Sequence, residues 1–148
     1  MTAIRTGTIR QRVEIPASPA AVYRTLMTSA GHRAFTGAPA RISGRVGGSF
    51  TAWGGYIHGR NLELVVGKRI VQAWVPAEAS WPEGHESKVT YRLSPSRNGT
   101  RISFTHSAVP REHVGHLSSG WKESYWDPLR RYFTRAEAKP RKTVRRAR

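Results

Sequence analysis

The sequence predicts an α+β domain in which a curved antiparallel sheet of six to seven strands wraps around one long C-terminal helix. Two short helices are expected after the first strand. Apolar and polar residues alternate repeatedly between residues 8 and 109, which is typical of half-buried strands. Short turns separate these strands and favour antiparallel neighbours. The last apolar pattern, from Val114 to Phe133, steps by three or four residues and predicts an amphipathic helix. No other segment is long enough to cover the concave face of the sheet, so this helix should pack there.

Local signals mark the N-terminal elements. Residues Thr8–Ile15 alternate apolar and polar side chains, and Pro16 ends this first strand. Ser18 followed by Pro19 is typical of an N-cap and a first helical position, which predicts a helix over Pro19–Thr28. A second short helix is expected over His32–Thr36.

The other strands are predicted between turns that contain glycine or proline, of which Asn98-Gly99 is the strongest hairpin signal. On the strand after Gly54-Gly55, we expect His58 and Arg60 to share an inward face with Tyr56. A loop is expected over Pro76–Glu86. The predicted strands are Arg41–Ser43, Gly48–Trp53, Tyr56–Val66, Arg69–Val75, Ser87–Leu93 and Thr100–Val109.

The long C-terminal helix should be distorted where proline interrupts it. Pro128 lacks a backbone N–H and clashes one turn back, so a kink is expected near Ser124–Asp127. Residues 1–135 then form one domain, and residues 136–148 form a basic tail without apolar periodicity that we expect to be disordered.

Composition excludes several kinds of chemistry. The chain has 148 residues and no cysteine, so disulfides, thiolate metal sites and a cysteine nucleophile are all excluded. Neither an apolar leader nor a run of about 20 apolar residues is present, which predicts a cytoplasmic protein without a membrane span.

The net charge of +16 suggests a polyanionic partner. Residues 134–148 hold seven basic side chains against one acidic one, and the other basic residues are scattered. This tail lacks the interleaved aromatic residues that stack on bases. We therefore expect weak, salt-sensitive and non-specific binding of polyanions.

Five stretches carry a resemblance to a known family. They are Val13–Pro19 leading into Val22-Tyr23, Gly47–Phe50, Gly67–Trp74, Ser103–His106, and Gly120-Trp121 followed by Tyr125–Leu129. In this order the chain resembles the START-like helix-grip superfamily, also called SRPBCC, which includes the birch-pollen allergen. Within it, the chain is similar to the branch named for the activator of heat-shock-protein-90 ATPase. The resemblance spans residues 8–133 and implies the helix-grip fold, whereas it leaves the substrate open.

A hydrophobic cavity between the sheet and the helix is the expected functional site, because the resembled fold commonly has one. Such cavities are usually apolar with a few polar groups. For any single aromatic residue, ordinary core packing is the competing interpretation. The expected cavity-lining residues are Phe35, Phe50, Trp53, Tyr56, His58, Trp74, Tyr91, Phe104, His106, Trp121 and Tyr125.

Three functions follow, and the sequence does not decide among them. The leading hypothesis is a non-catalytic module that binds a hydrophobic small molecule or lipid, in a regulatory or stress-related role. The second is a cyclase/aromatase-like enzyme that uses His106 and Arg60, although a buried histidine is more often a hydrogen-bonded core residue. The third is an interaction or co-chaperone-like protein that docks through its basic surface.

No cofactor or metal is predicted. His113 and His116 are spaced as metal ligands on one helix face, but no third ligand adjoins them in sequence, which favours a solvated pair. Catalytic-serine and phosphate-loop motifs are absent from the sequence. The exposed edges of an antiparallel meander would also allow a homodimer.

Overall fold

The computed structural model describes residues 4–135, and it confirms the predicted antiparallel sheet and C-terminal helix. The predicted tail at residues 136–148 lies outside the described residues. The strands are β1 Thr6–Ile15, β2 Ala40–Ile42, β3 Ser49–Ala52, β4 Ile57–Val65, β5 Arg69–Pro76, β6 Ser87–Ser96 and β7 Gly99–Pro110. The helices are α1 Pro19–Met27, α2 Ser29–Thr36 and α3 Val114–Trp121, the last continued by a π-helical turn Lys122–Trp126 and by helical residues 127–135.

The sheet has the strand order β1-β7-β6-β5-β4-β3-β2, and every pairing is antiparallel. Strands β2 to β7 form the meander that their short connections predict. The long β1 closes one side by pairing with β7, from Thr6 opposite Pro110 to Ile15 opposite Thr100. The N-terminal strand therefore ends up beside the segment that leads into the C-terminal helix.

Side-chain caps determine where the two short helices begin. The hydroxyl of Ser18 accepts a hydrogen bond from the backbone N–H of Ala21 at 3.2 Å, as its position before Pro19 predicts. Thr28 caps α2 in the same way through the N–H of Gly31 at 3.0 Å. Because of this second cap, α2 begins three residues earlier than His32, where the sequence predicts it.

The predicted inward orientation of His58 and Arg60 on β4 is wrong. Both side chains are exposed, and Arg60 forms an ion pair with Glu86 at 2.9 Å. The buried residues of this strand are instead Ile57 and Asn61, which lie on the opposite face.

Two contacts impose this inverted pattern on β4. Asn61 is buried although it is polar, because its amide donates to the carbonyl oxygens of Ser43 and Arg45 and accepts from Gln72. Gly59 lies so close to β5 that an added Cβ would fall 1.9 Å from a backbone oxygen. A polar residue and a glycine thus occupy the inner face of β4. Hydrophobic periodicity therefore cannot reveal which face of this strand is buried.

The predicted distortion before Pro128 takes the form of a wide π-helical turn. The N–H of Asp127 bonds to the carbonyl oxygen of Lys122, five residues back, immediately before the proline. Gln11 on β1 fixes the helix here, since its amide oxygen accepts from the Trp126 indole at 2.6 Å and its amide nitrogen donates to the carbonyl of Ser118 at 2.9 Å. The C-terminal helix is thereby held across the sheet, as its apolar stripe predicts.

Candidate functional site

A pocket of about 390 Å³ lies between the C-terminal helix and the inner face of β4 and β5. Its volume falls within the range of about 300–1,000 Å³ that is usual for small-molecule sites. It is lined by Trp53, Tyr56, Ile57, Trp74, His116, Leu117, Gly120, Trp121, Ser124 and Tyr125.

Aromatic rings from three elements form the pocket wall. On the helix, the rings of Trp121 and Tyr125 pack with centroids 4.6 Å apart, and Trp74 of β5 lies 5.8 Å from Trp121. Trp53 comes from the 3₁₀ turn after β3 and meets Tyr125 edge-on at 6.4 Å. The backbone of Trp53 has a φ of 56°, a conformation that costs a non-glycine residue free energy and is often found at binding sites.

Small residues on the helix leave this pocket open. Gly120 and Ser124 are one turn apart and both line it. Among residues 4–135, a Cβ built on Gly120 would meet no atom within 4 Å outside its own stretch of helix, so the position borders open space rather than a packed neighbour. The helix therefore covers the sheet without filling the space between them.

Polar groups gather at one side of the pocket. The hydroxyl of Tyr56 donates a hydrogen bond to Glu78, whose carboxylate also lies beside His113 and His116. Burial, together with the neighbouring carboxylate, raises the pKa of Tyr56 to about 12. Burial alone would raise the pKa of Glu78, but hydrogen bonds from Tyr56 and His116 and the histidine charges outweigh it and lower that pKa.

Five of the eleven residues expected from the sequence line this pocket, and six do not. Phe50 and Tyr91 border a second space of only about 10 Å³ deeper in the core, together with Trp74 and Tyr125. Phe35 and Phe104 are packed in the hydrophobic core, and His58 is exposed on β4. The remaining expected residue that does not line this pocket is His106. The five residues that line the pocket of about 390 Å³ are Trp53, Tyr56, Trp74, Trp121 and Tyr125.

His106 is a hydrogen-bonded core histidine. Its Nδ1 accepts from the Trp121 indole at 3.0 Å, so its ring proton is on Nε2, which lies 2.7 Å from the hydroxyl of Ser87. That hydroxyl donates onward to the carbonyl oxygen of Trp74. Burial lowers the pKa of His106 to about 3, which keeps the ring neutral. Both ring nitrogens are occupied and His106 does not line the pocket between helix and sheet, so it is not placed to act on a guest there.

Sequence reasoning missed His32 and Glu78. His32 is buried on α2, and its Nε2 lies 2.9 Å from the hydroxyl of Tyr125 behind the pocket wall. Burial lowers its pKa to about 4. Glu78 lies in the β5–β6 connection, far in sequence from the histidines it meets. Neither residue carries a local signal, because both contacts join segments that only folding brings together.

A larger depression of about 470 Å³ lies beside α2 and β2. Most of its lining residues are exposed, including Arg33, Pro39 and Arg41, so it is a surface groove rather than an enclosed site. Among the described residues, no helix is long and apolar enough to cross a membrane.

An open antiparallel sheet that grips a long C-terminal helix, with an apolar pocket between them, defines a helix-grip domain of the SRPBCC type. Residues 16–134 match the family described as "Activator of Hsp90 ATPase homolog 1-like protein", and the chain belongs to that family. The resemblance that the sequence motifs predict is thereby confirmed.

Curated relatives and solved structures agree with this assignment. The chain is 30% identical over 116 residues to the human activator of 90 kDa heat shock protein ATPase homolog 1, covering 78% of this chain and 34% of the relative. It is 29% identical over 130 residues to the Dictyostelium discoideum homolog, covering 87% of this chain and 33% of the relative. The chain thus spans about one third of the length of these relatives.

Two solved structures show the same fold. One is an HSP90 activator from Plasmodium falciparum, with a TM-score of 0.68, 22% identity, and coverage of 83% of this chain and 91% of that one. The other is the Aha1 dimer from Colwellia psychrerythraea, with a TM-score of 0.69, 23% identity, and coverage of 84% and 96%. At these identities, the likeness supports the fold alone.

Proposed function

We propose that this chain is a non-catalytic, regulatory module of the cytoplasm that binds a hydrophobic small molecule or lipid chain. The observation that carries the proposal is the pocket of about 390 Å³ with its wall of tryptophan and tyrosine rings. Burying apolar surface supplies about 25 cal/mol per Å², so such a wall supports binding without a specific polar anchor.

Residue 120 offers the sharpest test of this proposal. Gly120→Leu places a side chain at the open space of the pocket, and no described residue beyond the local helix backbone lies within 4 Å of the new Cβ. Leucine also has a higher helix propensity than glycine, so the helix itself should tolerate the change. The substitution should thus occupy part of the pocket from a position where the Cβ itself displaces no neighbour.

The assay is a titration with N-phenyl-1-naphthylamine, a neutral fluorescent probe that the net charge of +16 does not attract. We expect saturable binding of one probe per chain, with quenching of the pocket tryptophans. Gly120→Leu should weaken binding by about tenfold or more, equivalent to about 1.4 kcal/mol.

Gly115→Leu is the matched control. Gly115 lies on the same helix, is exposed and does not line the pocket. In the described part of the chain, an added Cβ there also meets nothing within 4 Å beyond the local helix backbone. This variant should bind the probe as the wild type does. Equal affinity in the wild type and in Gly120→Leu would show that the probe binds elsewhere and would contradict the proposal.

The family relationship favours a second candidate, docking on a chaperone of the Hsp90 class. Relatives that share the fold are described as activators of the 90 kDa heat shock protein ATPase. Under this proposal, adding the chain would raise the ATPase rate of an Hsp90 homologue from the same host, and Gly120→Leu would leave that effect intact. An unchanged rate across a concentration series would contradict it. A homodimer, as described for the Colwellia protein, stays a prediction for this chain.

A further inference from the structure

The side chains of Glu78, His113 and His116 converge beside the pocket. His113 Nδ1 lies 3.0 Å from one carboxylate oxygen of Glu78, and His116 Nε2 lies 3.3 Å from the other. The two histidine nitrogens are 3.4 Å apart. Each residue therefore contributes one possible ligand atom to a cluster in which the three atoms lie within 4.8 Å of one another.

These spacings match those of a metal centre. Zn²⁺ binds nitrogen and oxygen donors at about 2.0–2.2 Å in tetrahedral geometry, which places neighbouring donors roughly 3.3–3.5 Å apart. The separation of 3.4 Å between the two histidine nitrogens fits this value. Each nitrogen also lies within a few tenths of an ångström of it from one carboxylate oxygen of Glu78, His113 from Oε1 and His116 from Oε2, so a rotation of the carboxylate would let it share an ion with both. Two neutral imidazoles and one carboxylate also form a donor set that suits zinc and related transition metals.

Outer contacts hold two of the three donors in place. The hydroxyl of Ser80 lies 3.0 Å from Nε2 of His113, where it can accept the ring proton while Nδ1 binds an ion. The hydroxyl of Tyr56 donates to Glu78 and orients its carboxylate. Partners of this kind fix the tautomer and direction of metal ligands in known sites.

We propose that Glu78, His113 and His116 bind one divalent transition-metal ion of the zinc class at the edge of the apolar pocket. Three protein ligands leave at least one coordination position for water or for a donor atom of a guest. His116 is exposed and lines the pocket, so that position would lie beside the pocket. The site joins the start of α3 to the β5–β6 connection, and it does not depend on the pocket being filled.

The test is a titration of the full chain, free of any affinity tag, with Co²⁺ and Zn²⁺. Equilibrium dialysis at neutral pH should show one tightly bound ion per chain, and Co²⁺ should give the intense visible d–d absorption of a site with low coordination number. Because the chain carries a net charge of +16, non-specific accumulation of cations is disfavoured.

Substitutions at the exposed side of the cluster separate the metal site from folding. Glu78→Gln and His116→Ala should each weaken Zn²⁺ binding by more than the 10- to 100-fold that is typical for loss of an outer contact, whereas Ser80→Ala should fall within about that range. His58→Ala, at an exposed histidine outside the cluster, should bind the ion as the wild type does. Circular dichroism checks that each variant is folded.

Two outcomes would overturn the proposal. One is the absence of saturable Co²⁺ or Zn²⁺ binding to the wild type, and the other is unchanged affinity in both Glu78→Gln and His116→Ala. Gly120→Leu should retain the ion while binding the apolar probe about tenfold or more weakly, so failure of one proposal is distinguishable from failure of the other.

Discussion

Two buried histidines should make the stability of this protein depend strongly on pH. His106 and His32 are both buried, and burial lowers their pKa values to about 3 and about 4, from 6.5 in an unfolded chain. Between the folded and unfolded pKa values, the unfolded chain binds protons that the folded chain does not. Stability therefore falls as the pH decreases through this window.

The magnitude follows from these pKa values. Each histidine contributes a slope that approaches about 1.4 kcal/mol per pH unit below pH 6.5. Between pH 7 and pH 5, each therefore removes about 2 kcal/mol from the free energy of unfolding, and the pair about 4 kcal/mol. The free energy of unfolding of a folded domain is typically about 5–15 kcal/mol, so a loss of this size is large. The carboxyl groups of Glu14 and Glu78 also have lowered pKa values. Their contribution to stability is lost only as the pH falls below the ordinary value of 4.5, which is outside this range.

Urea unfolding at pH 7, 6 and 5 measures this loss. His106→Gln keeps a side chain that can accept from Trp121 and donate to Ser87 but does not titrate, and it should reduce the loss to about 2 kcal/mol. The double variant with His32→Gln should lack the contributions of both buried histidines and so lose about 4 kcal/mol less than the wild type. His58→Gln, at an exposed position, is the control and should keep the full loss.

Within each variant, the difference in the free energy of unfolding between pH 7 and pH 5 is measured. A loss of stability that the substitution causes equally at all pH values therefore cancels. Equal pH-dependent losses in the wild type and in the double variant would refute the reasoning. A wild type whose stability is flat from pH 7 to pH 5 would do the same.

Three further predictions concern stability and are checked by urea or thermal unfolding. Gly59→Ala should destabilise the protein by more than about 2 kcal/mol, because its Cβ would fall 1.9 Å from the Ala73 carbonyl oxygen; a change below 0.5 kcal/mol would contradict the close packing of β4 and β5. Gln11→Ala should cost about 1–3 kcal/mol, since it leaves the buried Trp126 indole without its acceptor, and the double variant with Trp126→Phe should recover part of that loss. Gly115→Ala should stabilise the helix by about 0.5–1 kcal/mol, and a lower melting temperature would argue against an unstrained helical position there.

Most element boundaries could be predicted because their signals are local. The cap at Ser18, the hairpin at Asn98-Gly99 and the helical stripe ending at Phe133 each depend on neighbouring residues in the chain. The π-helical turn arises close to where Pro128 predicts a distortion. Such features follow from backbone chemistry, which acts over a few residues.

The orientation of β4 could not be predicted in this way. Its buried residues include Asn61, whose partners at Ser43 and Arg45 belong to the β2–β3 connection. Leu62 faces outward and is exposed, although an apolar residue in a strand usually indicates the buried face. Here a tertiary hydrogen-bond network overrides the hydrophobic pattern.

The fold class, the order of strands and helices, the family and the aromatic character of the interior could all be predicted from the amino-acid sequence, because they depend on periodicity, turn chemistry and local motifs. Which aromatic rings border open space and which fill the core depends instead on packing between distant segments. Tertiary packing also brings Glu78 to His113 and His116, and buries His106 against Trp121. These contacts join residues that are distant in the chain, so their geometry exists only once the sheet has curved around the helix.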